Sequence, residues 1–471
     1  MTKTIVCVVA VLLAPGGVVA QTNVGQISGV VRDPSGGVLP GVAITIVNVD
    51  TQFIRTETTD EHGAYVVTNL PVGDYSVTAE LEGFRKATRT DFAVTADGRL
   101  TADFTLNVGQ MTETVLVRAV RGEQVNRTSG EIARVIDGDQ VRDLALSGRN
   151  YIELATLIPG AVQLEDDPMV LTTSLSASGA AINGARGNSG NLTVDGGFNL
   201  DSGSNASQIS NVGLEFIDQV KIQTSNFSAE YGRNSGPAIN VVTRSGTNRL
   251  RGSVFETYRD ESLDAAEFFA PRDDNGRPIK GQLHFNDYGS SLGGPIRRNK
   301  VFFFGGLELK SLDRVDGPTR RTLPSLAELG GDFSARLAGA DGTIGTADDS
   351  SVTDQLIDPD TGEAFPGGII PQSRITPDGR AIARIYQAMI ERALKYTNSP
   401  TGNNATFQLD FPFDWYQTFL RLDYRFNDRQ SVYLRYLHDR YDLHEPRGTF
   451  INSQLPTIPT RRLRPGDSYQ I

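Results

Sequence analysis

The sequence VGLEFIDQVKIQTSNFSAEYGRNSGPAINVVTRSGT, residues 212–247, decides the fold. Its segments 216–223 and 237–244 are rich in Ile and Val, which β-strands favour. Between the two segments lie Tyr231-Gly232 and Asn234-Ser235-Gly236. Clusters of Gly, Asn and Ser mark turns. The stretch therefore predicts a strand, a glycine-rich turn and a second strand, and the rest of the chain is arranged before and after this unit.

This unit resembles the last part of the plug domain of TonB-dependent outer-membrane receptors. In that family an Ile-Glu-x-Ile-Glu-Val strand, a Tyr-Gly turn and a Gly-Gly-Val-Ile-Asn-Ile-Ile-Thr strand follow one another. The corresponding residues here are FIDQVKI at 216–222, Tyr231-Gly232, and GPAINVVT at 236–243, which includes Asn240 and Thr243. The family's Arg-Gly-Pro after the first strand is absent. Residues 223–236 are instead similar to the Oar-like branch of the family.

Composition excludes several classes of protein. The 471 residues include 49 glycines, four histidines and one tryptophan, which favours turn-rich β structure over a helical bundle. A net charge of -11 repels nucleic acid, and the basic cluster at 461–464 is too short to bind it. Residues 1–20 read as a signal peptide, with an apolar run and small residues before Gln21. The one cysteine, Cys7, lies inside this signal, so we expect no disulfide and no cysteine chemistry.

Residues 24–107 predict a β-sandwich, because short segments rich in Val, Ile, Thr and Tyr alternate with turn signals. The segment resembles the carboxypeptidase regulatory-like domain. We expect its glycines to occupy turns with positive φ. The module either binds carbohydrate or acts as a spacer or docking domain. The residues that carry the resemblance are Gly29, Val31, Asp33, Leu39-Pro40-Gly41-Val42, Thr59-Asp60, Gly63, Tyr65, Leu70-Pro71, Gly73, Tyr75 and Gly83-Phe84.

Residues 108–130 form a predicted linker that carries Glu113, Thr114, Val115, Leu116 and Val117. This run resembles the Glu-Thr-x-x-Val form of the TonB box. The resemblance implies a periplasmic TonB-type energy-transducing partner, which would hold the segment by adding it to the edge of a sheet. A Thr/Val-rich segment at this place could equally be the last strand of the sandwich, and the sequence leaves both interpretations open.

Residues 131–246 carry the rest of the plug resemblance, which implies a small α/β domain inside a barrel. A helix is expected from Arg149 to Ala155, before the Pro159-Gly160 stop. The loops 165–181 and 197–212 are candidates for facing the outside and contacting ligand, or are simply solvated. The plug motifs are Asn183, Gly184, Arg186, Gly187, Val194, Asp195, Gly196, Tyr231, Gly232, Asn240 and Thr243.

Residues 247–471 predict the first strands of a transmembrane β-barrel. Along 416–427 apolar residues alternate with polar and charged ones, as expected when one face meets lipid and the other meets a wet lumen or plug. Further candidate strands are 250–258, 283–292, 300–309 and 431–441, with a short periplasmic turn at 298–300. The alternation in 301–309 is weaker, because Phe302-Phe303-Phe304 places rings on both faces.

A long insert at 313–412 is expected outside the cell, with a helix at 377–395. Asp341, Asp348 and Asp349 are calcium candidates, although an acidic turn without metal explains them as well. The Gly-x-Ser-x-Gly pattern at 289–293 lacks the strand-to-helix turn of a hydrolase. The four histidines have no metal-binding spacing. We therefore expect no enzyme, no cofactor and no metal site.

The fold class is thus mainly β: an N-terminal β-sandwich, a small α/β plug and an incomplete barrel. We expect room for about five strands where such receptors have about 22, so the sequence predicts a fragment of a longer chain. The resemblance implies an outer-membrane receptor that takes up a ligand too large for porins, possible ligands being an oligosaccharide or an iron chelate. The expected partners are a TonB-type protein, outer-membrane lipid and the ligand. The alternatives are an adhesion or matrix protein without transport and a carbohydrate-binding protein.

Overall fold

A computed structural model describes residues 24–109, 114–118, 130–163, 180–203, 205, 207–232, 235–266, 268–270, 272, 275–278, 280–315, 318–337, 356–399, 402–428, 430–448 and 459–471. Among these residues no helix is both long enough and apolar enough to cross a membrane.

The N-terminal domain is the predicted β-sandwich. One sheet has the order β4-β1-β7, with β8 also paired to β1, and the other has the order β3-β2-β5-β6-β9. Alternate residues of the long strands point inward, and their apolar side chains form one core between the sheets. The strands are β1 (Val24–Arg32), β2 (Ala43–Asn48), β3 (Ile54–Thr58), β4 (Ala64–Pro71), β5 (Gly73–Glu80), β6 (Lys86–Val94), β7 (Arg99–Thr101), β8 (Phe104–Thr105) and β9 (Thr114–Arg118).

The expectation that every motif glycine of this domain occupies a turn is wrong for Gly29. Gly63, Gly73 and Gly83 do have positive φ angles of 68°, 142° and 86°. Gly29, however, lies inside β1, where a Cβ atom would come within 2.2 Å of the Ala102 carbonyl oxygen. It is required because two backbones approach each other closely, and not because of a turn.

The second domain is a mixed five-stranded sheet with the order β10-β15-β16-β13-β14. The two strands predicted from residues 212–247 are β15 and β16, which pair antiparallel. The predicted helix after Arg149 is a 3-10 helix, Tyr151–Leu157, capped by the Asn150 side chain. The strands are β10 (Ile132–Asp137), β11 (Ala161–Gln163), β12 (Ala180–Ile182), β13 (Asn191–Val194), β14 (Gly197–Phe198), β15 (Ile217–Ser225) and β16 (Ala238–Thr243), and helix α1 is Gly138–Asp143.

The third part is an antiparallel sheet of six strands in the order β17-β18-β19-β23-β24-β25, interrupted by the insert. The insert has a small core of its own around Leu323, Met389 and Phe407. The elements in chain order are β17 (Arg251–Asp260), β18 (Leu283–Arg297), β19 (Val301–Arg314), β20 (Thr319–Arg321), α2 (Leu326–Leu329), α3 (Ser334–Leu337), α4 (Pro377–Arg392), β21 (Lys395–Tyr396), β22 (Ala405–Phe407), β23 (Phe413–Arg425), β24 (Ser431–Glu445) and β25 (Thr460–Gln470).

Besides the five candidate membrane strands named from the sequence, the described residues contain a sixth strand of this sheet, β25. Its sequence, TRRLRPGDSYQ, is dense in charge and contains Pro465-Gly466, both of which argue against a strand. Even so, β25 pairs with β24 along its whole length, with Pro465 opposite Arg440. The expectation that the three phenylalanine rings of β19 lie on both faces is confirmed. Phe302 and Phe304 are buried on the inner face, whereas Phe303 is half-exposed.

The close approach at Gly29 leads to a prediction about stability. Gly29→Ala should destabilise the sandwich by about 1–3 kcal/mol, because the new methyl group overlaps the Ala102 carbonyl. Val66→Ala on the neighbouring strand is the control, since Val66 is 54% exposed. Urea unfolding of residues 24–109, followed by circular dichroism, measures both changes. Equal midpoints for the Gly29 variant and the unmodified domain would contradict the close-packing argument.

Candidate functional site

The second domain, which the sequence predicts to be a plug and which is called the plug below, lies against the inner face of the six-stranded sheet, and buried charges connect the two. Asp195 is the centre of one contact. With Gly196 it forms a two-residue turn between β13 and β14 in which both residues have positive φ, 49° and 81°. The turn aims the Asp195 carboxylate at β16, where it accepts hydrogen bonds from the Thr243 amide at 2.8 Å and the Thr243 hydroxyl at 2.7 Å. Two motifs predicted from separate parts of the sequence therefore meet here.

The barrel strands complete this contact with two arginines. Arg435 of β24 donates to Asp195 Oδ2 at 2.7 Å, and the side chains of Arg435 and Asp195 are 4% and 5% exposed. Arg421 of β23 donates to the Thr243 hydroxyl at 3.1 Å and is held from the other side by Asp423, at 3.0 Å. Because both arginines project from inward-facing strand positions, this cluster joins the plug to the barrel wall.

A second buried cluster surrounds Arg149. Its Nε donates to Asp287 of β18 at 2.9 Å, and its guanidinium lies 4.6 Å from the centroid of the Phe255 ring. Lys310 of β19 donates to the carbonyl oxygens of Gly148 and Arg149 at 3.1 Å and 3.0 Å, and its Nζ lies 3.4 Å from Asp287. Both Lys310 and Asp287 have fully buried side chains. Such charges are tolerated inside a protein only when they are paired and hydrogen-bonded.

An aromatic contact lies between the two charged clusters. Phe216, at the start of the predicted strand, stacks on Phe419 of β23 with ring centroids 5.2 Å apart and meets Phe304 edge to face. On β19 a Cβ atom at Gly306 would come within 2.4 Å of the Phe216 ring. Gly306 therefore provides the space that this ring occupies.

The loop 197–212, predicted to face the outside, is instead buried in its last part. Ser210 and Asn211 are 3% and 2% exposed. The Asn211 amide donates to Asp439 of β24 at 3.1 Å, and its carbonyl accepts a hydrogen bond from Gln417 of β23. Residues 208–212 are thus part of the contact between plug and wall. In the other predicted ligand loop, 165–181, residues 165–179 lie outside the described part of the chain.

The remaining plug motifs lie elsewhere. The Asn183 amide donates to the Gly160 carbonyl at 3.0 Å, and Asn183 and Gly184 both have positive φ, so this motif closes a turn. Arg186 precedes the 3-10 helix Gly187–Ser189. Asn240 is buried and accepts a hydrogen bond from the Thr193 hydroxyl at 2.9 Å.

Tyr231 of the Tyr231-Gly232 motif reaches away from the plug core. Its hydroxyl donates to the carboxylate of Asp97 in the sandwich. Burial and this neighbouring carboxylate raise the pKa of Tyr231, so the phenol keeps its proton and remains a donor. The motif therefore connects the plug to the first domain.

The candidate TonB box forms part of β9. Glu113 lies outside the described residues, and Thr114–Arg118 pairs in parallel with β6, from Lys86 opposite Thr114 to Thr90 opposite Arg118. The second sequence interpretation, a last strand of the sandwich, describes this backbone correctly. It does not exclude the first, because β9 is the edge of its sheet and its other side pairs with no described strand.

The calcium candidates Asp341, Asp348 and Asp349 lie outside the described residues. The four histidines have no metal-binding spacing in the sequence, but in the structure the ligand atoms of His284, Asp260 and Glu261 all lie within 4.8 Å of one another. Sequence spacing could not show this, since the strand register places His284 opposite Asp260. His284 Nδ1 lies 2.7 Å from Asp260 Oδ2, a hydrogen bond that fastens the end of the hairpin.

Comparisons with known proteins fit this arrangement. Residues 242–470 match the family described as outer membrane beta barrel domain, and residues 26–107 match the carboxypeptidase regulatory-like domain. The chain carries an outer-membrane β-barrel domain behind a carboxypeptidase regulatory-like domain. This confirms the predicted family resemblance, the mainly β fold and an outer-membrane location.

Individual relatives add detail. The chain is 31% identical over 281 residues to the TonB-dependent transporter Oar of Myxococcus xanthus, which corresponds to 56% of this chain and 24% of that protein. The chain thus spans about a quarter of the length of this relative. Among solved structures, the outer membrane transporter YddB from Escherichia coli matches with a TM-score of 0.38 and 14% identity, over 72% of this chain and 36% of that one. A Streptococcal ancillary pilin matches 19% of this chain and 33% of its own, at 21% identity and a TM-score of 0.16.

Sequence reasoning missed most barrel residues of the site. Arg435, Asp287 and Lys310 lie on strands that were predicted, yet their plug partners are far away in the sequence. A usable signal was present, since a charged residue on the inward face of a membrane strand requires a partner. Arg421 was placed on the correct face by this rule.

The Asp195 contact leads to a prediction. Asp195→Ala should weaken the attachment of the plug by about 3–5 kcal/mol, because it leaves Arg435 buried without its carboxylate. The measurement is the urea concentration at which trypsin begins to cleave within the plug of the detergent-solubilised protein. Asp467→Ala is the matched control, because Asp467 accepts from His438 on the outer face of the same strands. If both variants lose protection at the wild-type urea concentration, the contact does not hold the plug.

Proposed function

We propose that the protein acts as a TonB-dependent outer-membrane receptor. The barrel passes a ligand too large for porins, and a periplasmic partner pulls on the box at 113–117 to rearrange the plug. The observation that carries this proposal is that buried ion pairs hold the plug against the barrel strands. In the sequence the plug follows the edge strand β9, which has one edge paired with no described strand, where a partner strand can add. Asp195–Arg435 at 2.7 Å and Arg149–Asp287 at 2.9 Å are the two closest of these pairs.

The connection between box and plug supports a mechanical role. Beyond the pairing of β9 with β6, the first described ion pair after the box in the chain is Glu131–Lys221, whose charged atoms are 3.0 Å apart. Gln223 also donates to Glu131, at 3.2 Å. Both partners belong to β15, which pairs with the edge strand β10 on one side and with β16 on the other. Tension at Glu131 therefore acts on the strand that continues into Phe216 and its barrel contacts.

The resemblance and the name of the Myxococcus relative support transport rather than catalysis. The Gly-x-Ser-x-Gly run at 289–293 lies within β18, and this part of β18 is paired with β17 and β19. It therefore lacks the strand-to-helix turn that a hydrolase nucleophile requires. The ligand's identity is open, with an oligosaccharide and an iron chelate as the two candidates, and growth of a deletion strain on single carbon and iron sources tests both.

The proposed role of the box leads to a prediction. Leu116→Pro should reduce uptake by at least about tenfold, because proline removes a backbone donor and a partner strand is held through its main chain. Leu116→Ala keeps the main chain and should transport normally. The measurement is uptake of the nutrient on which the deletion strain fails to grow, with surface levels checked by immunoblot. Full uptake by the proline variant would exclude energisation through this segment.

A further inference from the structure

One end of the sandwich faces the periplasmic end of the barrel strands, and its turn at residues 49–53 makes most of the contacts. The backbone amide of Asn248, just before β17, donates to the Asp50 carbonyl at 3.0 Å. Arg249 and Arg251 lie 3.3 Å and 3.5 Å from the Asp50 carboxylate. A single aspartate thus meets the start of the first barrel strand through its backbone and its side chain.

The same turn also reaches a second part of the barrel rim. Arg425, the last residue of β23, donates to the Gln52 carbonyl at 3.0 Å and lies 5.8 Å from the centroid of the Phe53 ring. Arg425 also donates to the carbonyl of Asn299, in the turn between β18 and β19. The 49–53 turn therefore contacts the periplasmic ends of β17 and β23, and Arg425 connects it to the turn between β18 and β19.

A third contact joins the sandwich to the plug. Asp97, in the turn between β6 and β7, accepts the hydrogen bond from Tyr231. Between sandwich, plug and wall lies a cavity of about 1200 Å³. Its lining includes Phe53 and Asp74 from the sandwich, Arg134 and Lys221 from the plug, and Arg421 and Tyr433 from the wall. The sandwich thus covers a space that the underside of the plug faces.

We propose that the sandwich domain is a cover docked on the periplasmic mouth of the barrel through its 49–53 turn and Asp97. Its function in transport rests on the proposed uptake role: a ligand that passes the plug leaves the cavity only after these contacts separate. The contacts suit a reversible cover. Arg249 and Arg251 are 69% and 51% exposed, and exposed ion pairs are individually weak.

The position of β9 connects this cover to the energy-transducing partner. β9 is the edge strand of the sandwich sheet that also contains β2 and β3, the strands flanking the 49–53 turn. A pull on the box therefore acts on the cover as well as on the plug. The sequence allowed two roles for the sandwich, a sugar-binding module or a spacer. On this proposal the sandwich instead moves during transport.

Disulfide trapping tests the docking directly. The backbone amide of Asn248 lies 3.0 Å from the Asp50 carbonyl oxygen, so cysteines at these two positions are close enough to test for a disulfide. The chain's one cysteine is Cys7, in the predicted signal peptide. The double variant Asp50→Cys/Asn248→Cys should therefore cross-link when outer membranes are treated with a mild oxidant.

The control pair is Ser253→Cys/Ser291→Cys, whose parent residues face each other on β17 and β18. Cross-linking of the control pair alone would overturn the proposal.

Accessibility of the cavity provides the second test. A reporter cysteine, Ala133→Cys, replaces a residue that lines the cavity. In spheroplast-derived membranes, a 5-kDa maleimide-polyethylene glycol should label this cysteine slowly, because the docked sandwich blocks its access. Adding Asp50→Ala and Arg425→Ala removes docking contacts and should raise the labelling rate at least about tenfold. Glu57→Ala, an exposed change on β3, should leave the rate unchanged. Equal rates in all three backgrounds would overturn the proposal. Neither test requires ligand or partner, so a failure of box-dependent uptake is distinguishable from a failure of docking.

Discussion

The need to pair every charge that the plug brings inside the barrel strands constrains the rest of the structure. Asp195 shows how this is met. Its carboxylate is 5% exposed, yet it accepts from Thr243 of its own domain and from Arg435 of the wall. Removing a charge from water costs several kcal/mol unless such partners are in place. Separating Asp195 from Arg435 would therefore leave each charge buried without the other unless water replaces it.

The barrel strands can supply those partners because their side chains alternate. On β23, Gln417, Phe419 and Arg421 point inward and contact the plug, while Leu420 and Leu422 are exposed on the outer face. One sequence thus meets two environments, an apolar one outside and a polar protein surface inside. The same alternation on β19 places Gly306 beneath Phe216, where a larger residue would collide with the ring.

Local sequence patterns predicted the strands and turns of this fold well. They could not predict which residues of different elements contact one another. The strands around residues 212–247, the sandwich and the alternation of β23 all follow from periodicity and turn residues, which act over a few positions. Asp195 and Arg435 are separated by 240 positions, so their pairing depends on the tertiary arrangement. β25 was missed because its arginines suggested a basic cluster, whereas Arg462 and Arg464 pair with Glu445 and Asp439 of β24. The pairing of His284 with Asp260 likewise depends on strand register.

The strengths of the contacts imply the order in which they would break under a pull from the periplasm. The sandwich meets the rim through exposed ion pairs worth about 0–1 kcal/mol each. The plug meets the wall through buried pairs, where loss of one partner costs about 3–5 kcal/mol. Between them lies Glu131–Lys221, with Lys221 2% exposed and Glu131 18% exposed. On the proposed function, the cover separates first, because its contacts are the weakest and its edge strand β9 carries the box. The ion pair Glu131–Lys221 is loaded next, and the charges around Asp195 are disturbed last. On the proposed uptake role, this order opens a path from the periplasmic side inward, while the plug stays seated on the wall until the final step.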